Sequence, residues 1–220
     1  MKAYSPVARH TRRLILRVLD RIPHDSLIDI GCGIGSLLQG LVDLDRPVRY
    51  AGVDFSEEAI RVAARRLDAR FSRLDIEREW LDETFDVGVC SEVLEHLDND
   101  DAALRNISRS VRHLVITVPS GPLTEASVAM GHVRHYTKES LREKLEMGGY
   151  MDIDVRAWGT PFHDPLYAWI RSRSPQSATT GTYGVGKRFI SATLYTLFHL
   201  NVFDHGHKLV AFARTPEDRT

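Results

Sequence analysis

Two patterns of apolar residues alternate along the chain: short continuous runs, and longer stretches in which apolar positions recur with a helical period. The short runs predict buried strands, and the periodic stretches predict helices. The predicted strands are Ser26–Ile30, Tyr50–Val53, Phe71–Leu74, Phe85–Cys90, His113–Val118, Met151–Val155 and Lys208–Arg214. Strands that alternate with helices predict an α/β fold: a doubly wound, mostly parallel, seven-stranded sheet with helices on both faces.

Capping residues mark the helices between these strands. The first helix is predicted over Pro6–Ile22, where Pro23 ends it. Ser56 and Thr137 are predicted N-caps of two later helices. After the fourth strand we expect a helix that continues to about Ser110.

About fifty residues separate the last two predicted strands, which is too long for a simple turn. We therefore interpret residues 1–220 as a single domain that carries an insertion at about 162–206, before the last strand. Its first part contains Arg171, Arg173 and the Ser-, Thr- and Gly-rich stretch Ser174–Gly186, which predicts a mobile lid. Its second part, Phe189–Phe203, is apolar. The sequence leaves four roles open for it: packing on the sheet, covering a substrate, forming a homodimer contact, or contacting a membrane surface.

Composition excludes several classes of protein. The net charge of −1 provides no overall field for duplex nucleic acid, so we expect no such partner. The two cysteines, Cys32 and Cys90, show no metal-ligand spacing. The arginine-rich start does not resemble a signal peptide, and no apolar run approaches the length of a transmembrane helix, so the expected location is the cytoplasm.

A glycine-rich loop carries the strongest chemical signal. Asp29-Ile30-Gly31-Cys32-Gly33-Ile34-Gly35 follows the first strand and precedes a helix, whose N-terminal N–H groups favour an anionic or polar ligand. Asp54 ends the second strand 19 residues after Gly35, where a carboxylate can accept hydrogen bonds from ribose hydroxyls. A nicotinamide site would have a glycine at position 36, which is Ser36 here.

The order of these motifs resembles the class I S-adenosylmethionine-dependent methyltransferases, which have a Rossmann-like fold, over about Leu27–Arg214. Within that family the chain is similar to ubiquinone-type and type 11/12 small-molecule O-methyltransferases. The segment Phe85–Leu97 closely matches the family's fourth-strand segment. It lacks the Pro-Pro motif that resembles methylation of base amino groups, so DNA base methylation is not expected.

The resemblance implies a cofactor site for S-adenosylmethionine. Asp29 and the loop amides would hold the methionine part, Asp54 the ribose, and Asp75 the adenine amino group between Phe55 and Ile76. The implied cofactor-binding residues are Asp29, Gly31, Cys32, Gly33, Gly35, Asp54, Phe55, Ser56, Asp75, Ile76, Cys90 and Ser91.

Methylation of a hydroxyl requires a base, and histidine has a suitable pKa. The candidates are His96, His132 and His135. If the chain is helical at this point, Glu92, Glu95 and His96 share one face of one turn, and with His132 they form a candidate site for Mg²⁺ or Mn²⁺. This set resembles the metal site of small-RNA 2′-O-methyltransferases, although metal-free relatives carry the same segment as pocket lining or helix cap. Arg134 is expected to bind either an anionic substrate group or the following helix.

The functional prediction is O-methylation of a small-molecule hydroxyl, as in a sugar, a catechol or quinol, or a secondary metabolite. One alternative is 2′-O-methylation of an RNA 3′ end. A second alternative is a non-catalytic, methyltransferase-like binding subunit that contacts a partner through Phe189–Phe203.

Overall fold

A seven-stranded sheet forms the centre of the computed structural model, which describes residues 5–43, 48–173, 185–202 and 204–216. The strands are β1 (Ser26–Ile30), β2 (Arg49–Asp54), β3 (Arg70–Arg73), β4 (Phe85–Ser91), β5 (Val111–Pro119), β6 (Met151–Trp158) and β7 (Lys208–Arg214). Their order in the sheet is β3-β2-β1-β4-β5-β7-β6, and β7 is antiparallel to both of its neighbours. The predicted fold class is confirmed, including the mostly parallel sheet of seven strands.

The helices are α1 (Pro6–Leu19), α2 (Ser36–Val42), α3 (Glu57–Arg66), α4 (Asp100–Ser108), α5 (Glu125–Ala129), α6 (Lys138–Met147), α7 (His163–Arg173) and α8 (Val185–Leu197). They cover both faces of the sheet. In β1, Leu27 packs in one core with α1 and α2, whereas its neighbour Ile28 packs in the other core with α4 and α6. This alternation follows from the period of two along a strand, and it buries every residue of β1.

Helix ends follow the capping chemistry. The Ser56 hydroxyl accepts a hydrogen bond from the Ala59 amide at the start of α3. Thr137 and Ser140 form a reciprocal capping box at the start of α6, and Gly148 ends that helix. Both predicted N-caps are confirmed. The first helix is shorter than predicted, because it ends at Leu19 with Asp20 as its C-cap.

The chain after β4 differs from the prediction of one continuous helix. Glu92 has a φ of 58°, in the left-handed region, and Leu94–His96 form a single 3₁₀ turn before α4 begins at Asp100. The predicted helical face that would join Glu92, Glu95 and His96 is therefore wrong. The segment between β5 and Tyr136 contains the short helix α5.

Helix α8 lies on α1 rather than on open sheet. Ser191 and Phe198 are buried, whereas Phe189 is 75% exposed and Ile190 is 59% exposed. The lid expected at Ser174–Gly186 falls almost entirely on 174–184, which lies outside the described residues, as does Phe203. The homodimer and membrane contacts of this segment stay predictions. No helix in the described ranges has the length and apolarity that crossing a membrane requires.

Candidate active site

The glycine loop lies where β1 separates from its two neighbours, β2 and β4, at the carboxyl ends of these strands. Gly31 has a φ of 73°, and a Cβ there would lie 2.3 Å from a Val93 methyl group, so a side chain is excluded. A Cβ at Gly33 would meet open space, so the loop backbone is accessible to a ligand at that point. The residues present therefore fit a ligand that contacts the main chain of this loop.

Asp54 holds the loop from β2. One carboxylate oxygen accepts a hydrogen bond from the Gly33 amide at 2.7 Å, and the other accepts from the Ser56 amide at 2.8 Å. The predicted acid at the end of β2 thus lies directly beside the loop. Cys32 is buried; its thiol lies against Gly52 of β2 and donates to the Gly33 carbonyl at 3.6 Å.

Asp29 lies buried at the end of β1, beneath the loop. Burial, with a smaller contribution from the Asp54 charge, raises the pKa of this carboxyl to about 7. A cation that reached Asp29 would restore its charged form. This environment suits the positive amino group expected for the methionine part of the predicted cofactor.

The predicted adenine side is only partly assembled. Phe55 is 65% exposed, and the Arg73 guanidinium lies 5.1 Å from the centre of its ring. Ile76 packs into the core, and Asp75 accepts a hydrogen bond from the Glu77 amide. Phe55 therefore offers an open aromatic face, while contacts of Asp75 and Ile76 with adenine stay predictions.

The end of β4 lies next to β1, on the side of the glycine loop opposite β2. Cys90 is fully buried, and burial raises the pKa of its thiol. The Ser91 and Thr117 hydroxyl groups lie 2.8 Å apart, and the Thr117 hydroxyl also donates to Glu92. Cofactor contacts of Cys90 and Ser91 stay predictions.

Glu92 has partners that the sequence pattern did not indicate. Its second carboxylate oxygen accepts from the Lys208 ammonium at 2.5 Å. Burial raises the pKa of Glu92, but the Lys208 charge and the hydrogen bonds outweigh that effect, so the net pKa is lowered. Because both oxygens are engaged, Glu92 does not join the predicted metal ligands in this structure. Lys208 was missed, although a lysine directly before the apolar run Leu209–Ala213 is the signal that could have revealed it.

The other three predicted metal ligands do come together. Glu95, His96 and His132 each bring one potential ligand atom within 4.8 Å of the others. Glu95 is fully buried, and neither of its oxygens accepts a hydrogen bond from any residue in the described ranges. Burial, reinforced by the Glu92 charge, raises the pKa of Glu95 to about 8. A buried carboxylate without a partner, facing two imidazoles, fits a divalent cation with three protein ligands.

His135 also belongs to this cluster. Its Nε2 lies 3.0 Å from His132 Nδ1, and the His96 and His132 rings meet edge to face with their centres 4.8 Å apart. The structure therefore brings all three candidate base residues together. Burial, followed by the neighbouring imidazoles His96 and His135, lowers the pKa of His132.

Of the two alternatives for Arg134, the structural one is observed. Its guanidinium pairs with the buried Asp100 carboxylate at 2.6 Å, and it also donates to the Asp98 carbonyl. Tyr136 donates to the same carboxylate at 2.7 Å. This buried network fixes the loop that carries His132 against the start of α4.

Comparison with known proteins supports this geometry. A family model described as a methyltransferase domain matches residues 28–113, from β1 into β5. Over these residues the chain is similar to a methyltransferase domain.

Similarity to individual proteins extends beyond that match. The chain is 24% identical over 200 residues to a small RNA 2′-O-methyltransferase of Arabidopsis thaliana, and the match covers 83% of the chain but only 20% of that relative. It is 30% identical over 106 residues to the mitochondrial ubiquinone biosynthesis O-methyltransferase of Saccharomyces cerevisiae, covering 46% of the chain and 34% of that relative. The chain thus spans a fifth to a third of the length of these relatives.

A solved structure shows the same fold over nearly the whole chain. The N-methyltransferase NodS of Bradyrhizobium japonicum, solved in complex with S-adenosylhomocysteine, aligns with a TM-score of 0.62 and 18% identity. The alignment covers 97% of this chain and 89% of the NodS chain.

Proposed function

We propose that this methyltransferase binds S-adenosylmethionine on the loop from Asp29 to Gly35 and methylates a hydroxyl group of a small, largely apolar molecule. The observation that carries the proposal is the position of the Glu95, His96 and His132 cluster beside that loop. Val93, which packs on Gly31, directly precedes the 3₁₀ turn that holds Glu95 and His96. The cofactor loop thereby contacts the segment that carries Glu95 and His96, and the Glu95 carbonyl accepts a hydrogen bond from the Val133 amide, next to His132.

When bound, S-adenosylmethionine supplies a methyl carbon that a positive sulfonium activates toward attack. The chain then has two tasks, which are to align the acceptor oxygen with that carbon and to remove its proton. His132 suits the second task, because its lowered pKa leaves the imidazole neutral at neutral pH. The hydroxyl proton would pass to His132 as the new oxygen–carbon bond forms and the carbon–sulfur bond breaks.

The segment over the site supports an apolar acceptor. Leu123, Val128, Met130 and Val133 are all exposed on the stretch that leads into and past His132. Apart from His132, the ionisable side chain of residues 120–133 is Glu125. Binding of a phosphate backbone relies on Lys and Arg, which this stretch lacks. An uncharged acceptor with a hydrocarbon body matches this surface better than RNA does.

An acceptor panel tests the proposal. Purified protein would be assayed for methyl transfer to apolar phenols and quinols, to sugars, and to an RNA with a free 3′ diol. We expect turnover with an apolar hydroxyl compound and a loss of about 100-fold or more in His132→Gln, since general bases contribute rates of that size. His113→Gln removes a histidine near the start of β5, far from the cluster, and should leave the rate unchanged. Full activity in His132→Gln would refute the role of His132 as the general base.

The second candidate function is 2′-O-methylation of an RNA 3′ end. The metal-compatible cluster and the 200-residue similarity to a small RNA 2′-O-methyltransferase favour it. Glu95, His96 and His132 would hold the divalent ion, which would lower the pKa of a coordinated hydroxyl. Activity that requires Mg²⁺ or Mn²⁺, that is lost in Glu95→Gln and that prefers RNA would establish this function. Activity that survives both EDTA and Glu95→Gln would exclude the metal.

A further inference from the structure

Two imidazoles, His132 and His135, form a hydrogen-bond chain that ends on the Gly121 carbonyl, and His96, whose ring contacts His132 edge to face, is hydrogen-bonded to the Gly131 carbonyl. His135 Nδ1 lies 3.2 Å from the Gly121 carbonyl oxygen, and His135 Nε2 lies 3.0 Å from His132 Nδ1. His96 Nδ1 lies 3.1 Å from the Gly131 carbonyl oxygen. These contacts determine which ring nitrogens carry protons.

A carbonyl oxygen can only accept a hydrogen bond, so His135 Nδ1 must be the protonated nitrogen of its ring. In a neutral imidazole the other nitrogen, Nε2, is then an acceptor without a proton. The contact between His135 Nε2 and His132 Nδ1 therefore requires His132 Nδ1 to donate. His132 Nε2 consequently carries no proton.

The same logic applies to His96. Its Nδ1 must donate to the Gly131 carbonyl, which leaves its Nε2 unprotonated. His96 and His132, which lie in one cluster with Glu95, are thus both Nδ1-protonated tautomers with a free lone pair on Nε2. A general base accepts a proton on such a lone pair, and a metal ligand donates such a lone pair to the metal ion.

We propose that His135 is a positioning residue: its Nε2 accepts a hydrogen bond from His132 Nδ1–H and thereby keeps His132 Nε2 unprotonated and free to act. His135 does not itself accept the substrate proton, because its Nδ1 already carries a proton and its Nε2 lone pair accepts from His132. The consequence for catalysis rests on the methyl transfer proposed above, whereas the proton arrangement does not.

Long-range ¹⁵N–¹H spectra of the metal-free, cofactor-free protein at about pH 8 test the proton arrangement, since ring ¹⁵N shifts distinguish protonated from bare nitrogens. We expect His132 with a protonated Nδ1 and a bare Nε2. His135→Phe removes the acceptor and should shift His132 toward the form with a protonated Nε2. His135→Gln keeps an acceptor oxygen and should restore the original pattern in part. His113→Phe, which removes a ring whose Nδ1 also contacts a backbone carbonyl, should leave it unchanged.

A wild-type His132 that carries its proton on Nε2 would overturn the proposal, and this result needs no folded variant. An unchanged His132 spectrum in a folded His135→Phe protein would overturn it as well. With an accepted substrate, kcat of His135→Phe should fall by about 10- to 100-fold, as expected when a general base is misdirected, with unchanged affinity for S-adenosylmethionine. A shifted spectrum with unchanged kcat would confirm the proton arrangement and refute His132 as the base.

Discussion

Replacing Asp29 with asparagine should stabilise the ligand-free protein at neutral pH while it weakens cofactor binding. Asp29 is buried beneath the glycine loop, and its pKa is raised from an ordinary value of 3.8 to about 7. The main cause is burial, and the Asp54 charge adds to it. At about 1.4 kcal/mol per pKa unit, the charged carboxylate costs the folded state up to about 4 kcal/mol at neutral pH.

The sign of the pH dependence follows from the raised pKa. Between about pH 4 and pH 7 the folded state keeps the Asp29 proton that the unfolded state has lost. The contribution of Asp29 to stability is therefore fully present below the unfolded pKa of 3.8, and it is lost as the pH rises through the folded pKa of about 7. An asparagine side chain has no ionisable group, so the stability of Asp29→Asn relative to the parent should increase with pH over this window and level off above it.

Urea unfolding at about pH 5, 6, 7 and 8 measures this difference. Asp86→Asn is the matched control. Burial raises the pKa of Asp86, but hydrogen bonds from Ser26 and Asp25, together with Arg112, outweigh this effect and lower it. Asp86→Asn should therefore destabilise the protein most at neutral pH and less in acid, the opposite trend. A stability difference for Asp29→Asn that stays constant with pH would refute a raised pKa at this site.

Three further predictions concern Asp54, the Lys208 pair and Tyr136. Asp54→Ala should weaken S-adenosylmethionine binding by about 100-fold in calorimetry, because two charge-assisted hydrogen bonds are worth about 3 kcal/mol. The control variant Asp68→Ala, which changes an exposed residue, should bind the cofactor normally. Unchanged affinity in Asp54→Ala would contradict the ribose assignment. Lys208→Met should lower the free energy of unfolding by about 2 kcal/mol. This loss is smaller than the loss expected when a fully buried ion pair is broken, because Glu92 is partly exposed. Adding Glu92→Gln should recover part of that loss, and additive losses would show that the two side chains are not coupled. Tyr136→Phe should cost about 1–2 kcal/mol in the same assay, since its hydroxyl donates to a buried carboxylate; an unchanged unfolding midpoint would contradict that hydrogen bond.

The cofactor half of the site could be predicted because its information is local in the sequence. Ser26–Ile30 is a continuous apolar run, and the strand has those bounds in the structure. The loop follows at once, and the acid that holds it ends the next strand, so sequence order alone puts Asp54 beside Gly33. Parallel strands with carboxyl ends at one edge leave little freedom in that placement.

The acceptor half could not be predicted to the same degree, because its contacts join distant parts of the chain. The left-handed backbone at Glu92 interrupts the expected helix, and the partner of Glu92, Lys208, lies 116 residues away. Periodicity carries no information about such a pair. The meeting of His96 with His132 was predicted by resemblance, but the hydrogen bond from His132 to His135 depends on how the loop folds after Gly121.

The contact between Gly31 and Val93 explains why these two halves must be considered together. A methyl group of Val93 occupies the space where any side chain at position 31 would begin, so the glycine loop and the turn that carries Glu95 and His96 fit against each other without a gap. A change in the backbone at Glu92 would therefore move Glu95 and His96 relative to the cofactor loop, even with every predicted side chain still present. Alignment in methyl transfer tolerates little displacement, since a shift of about 1 Å can cost two orders of magnitude in rate. The Thr117 and Lys208 contacts that hold Glu92 consequently support the reaction geometry without touching the acceptor.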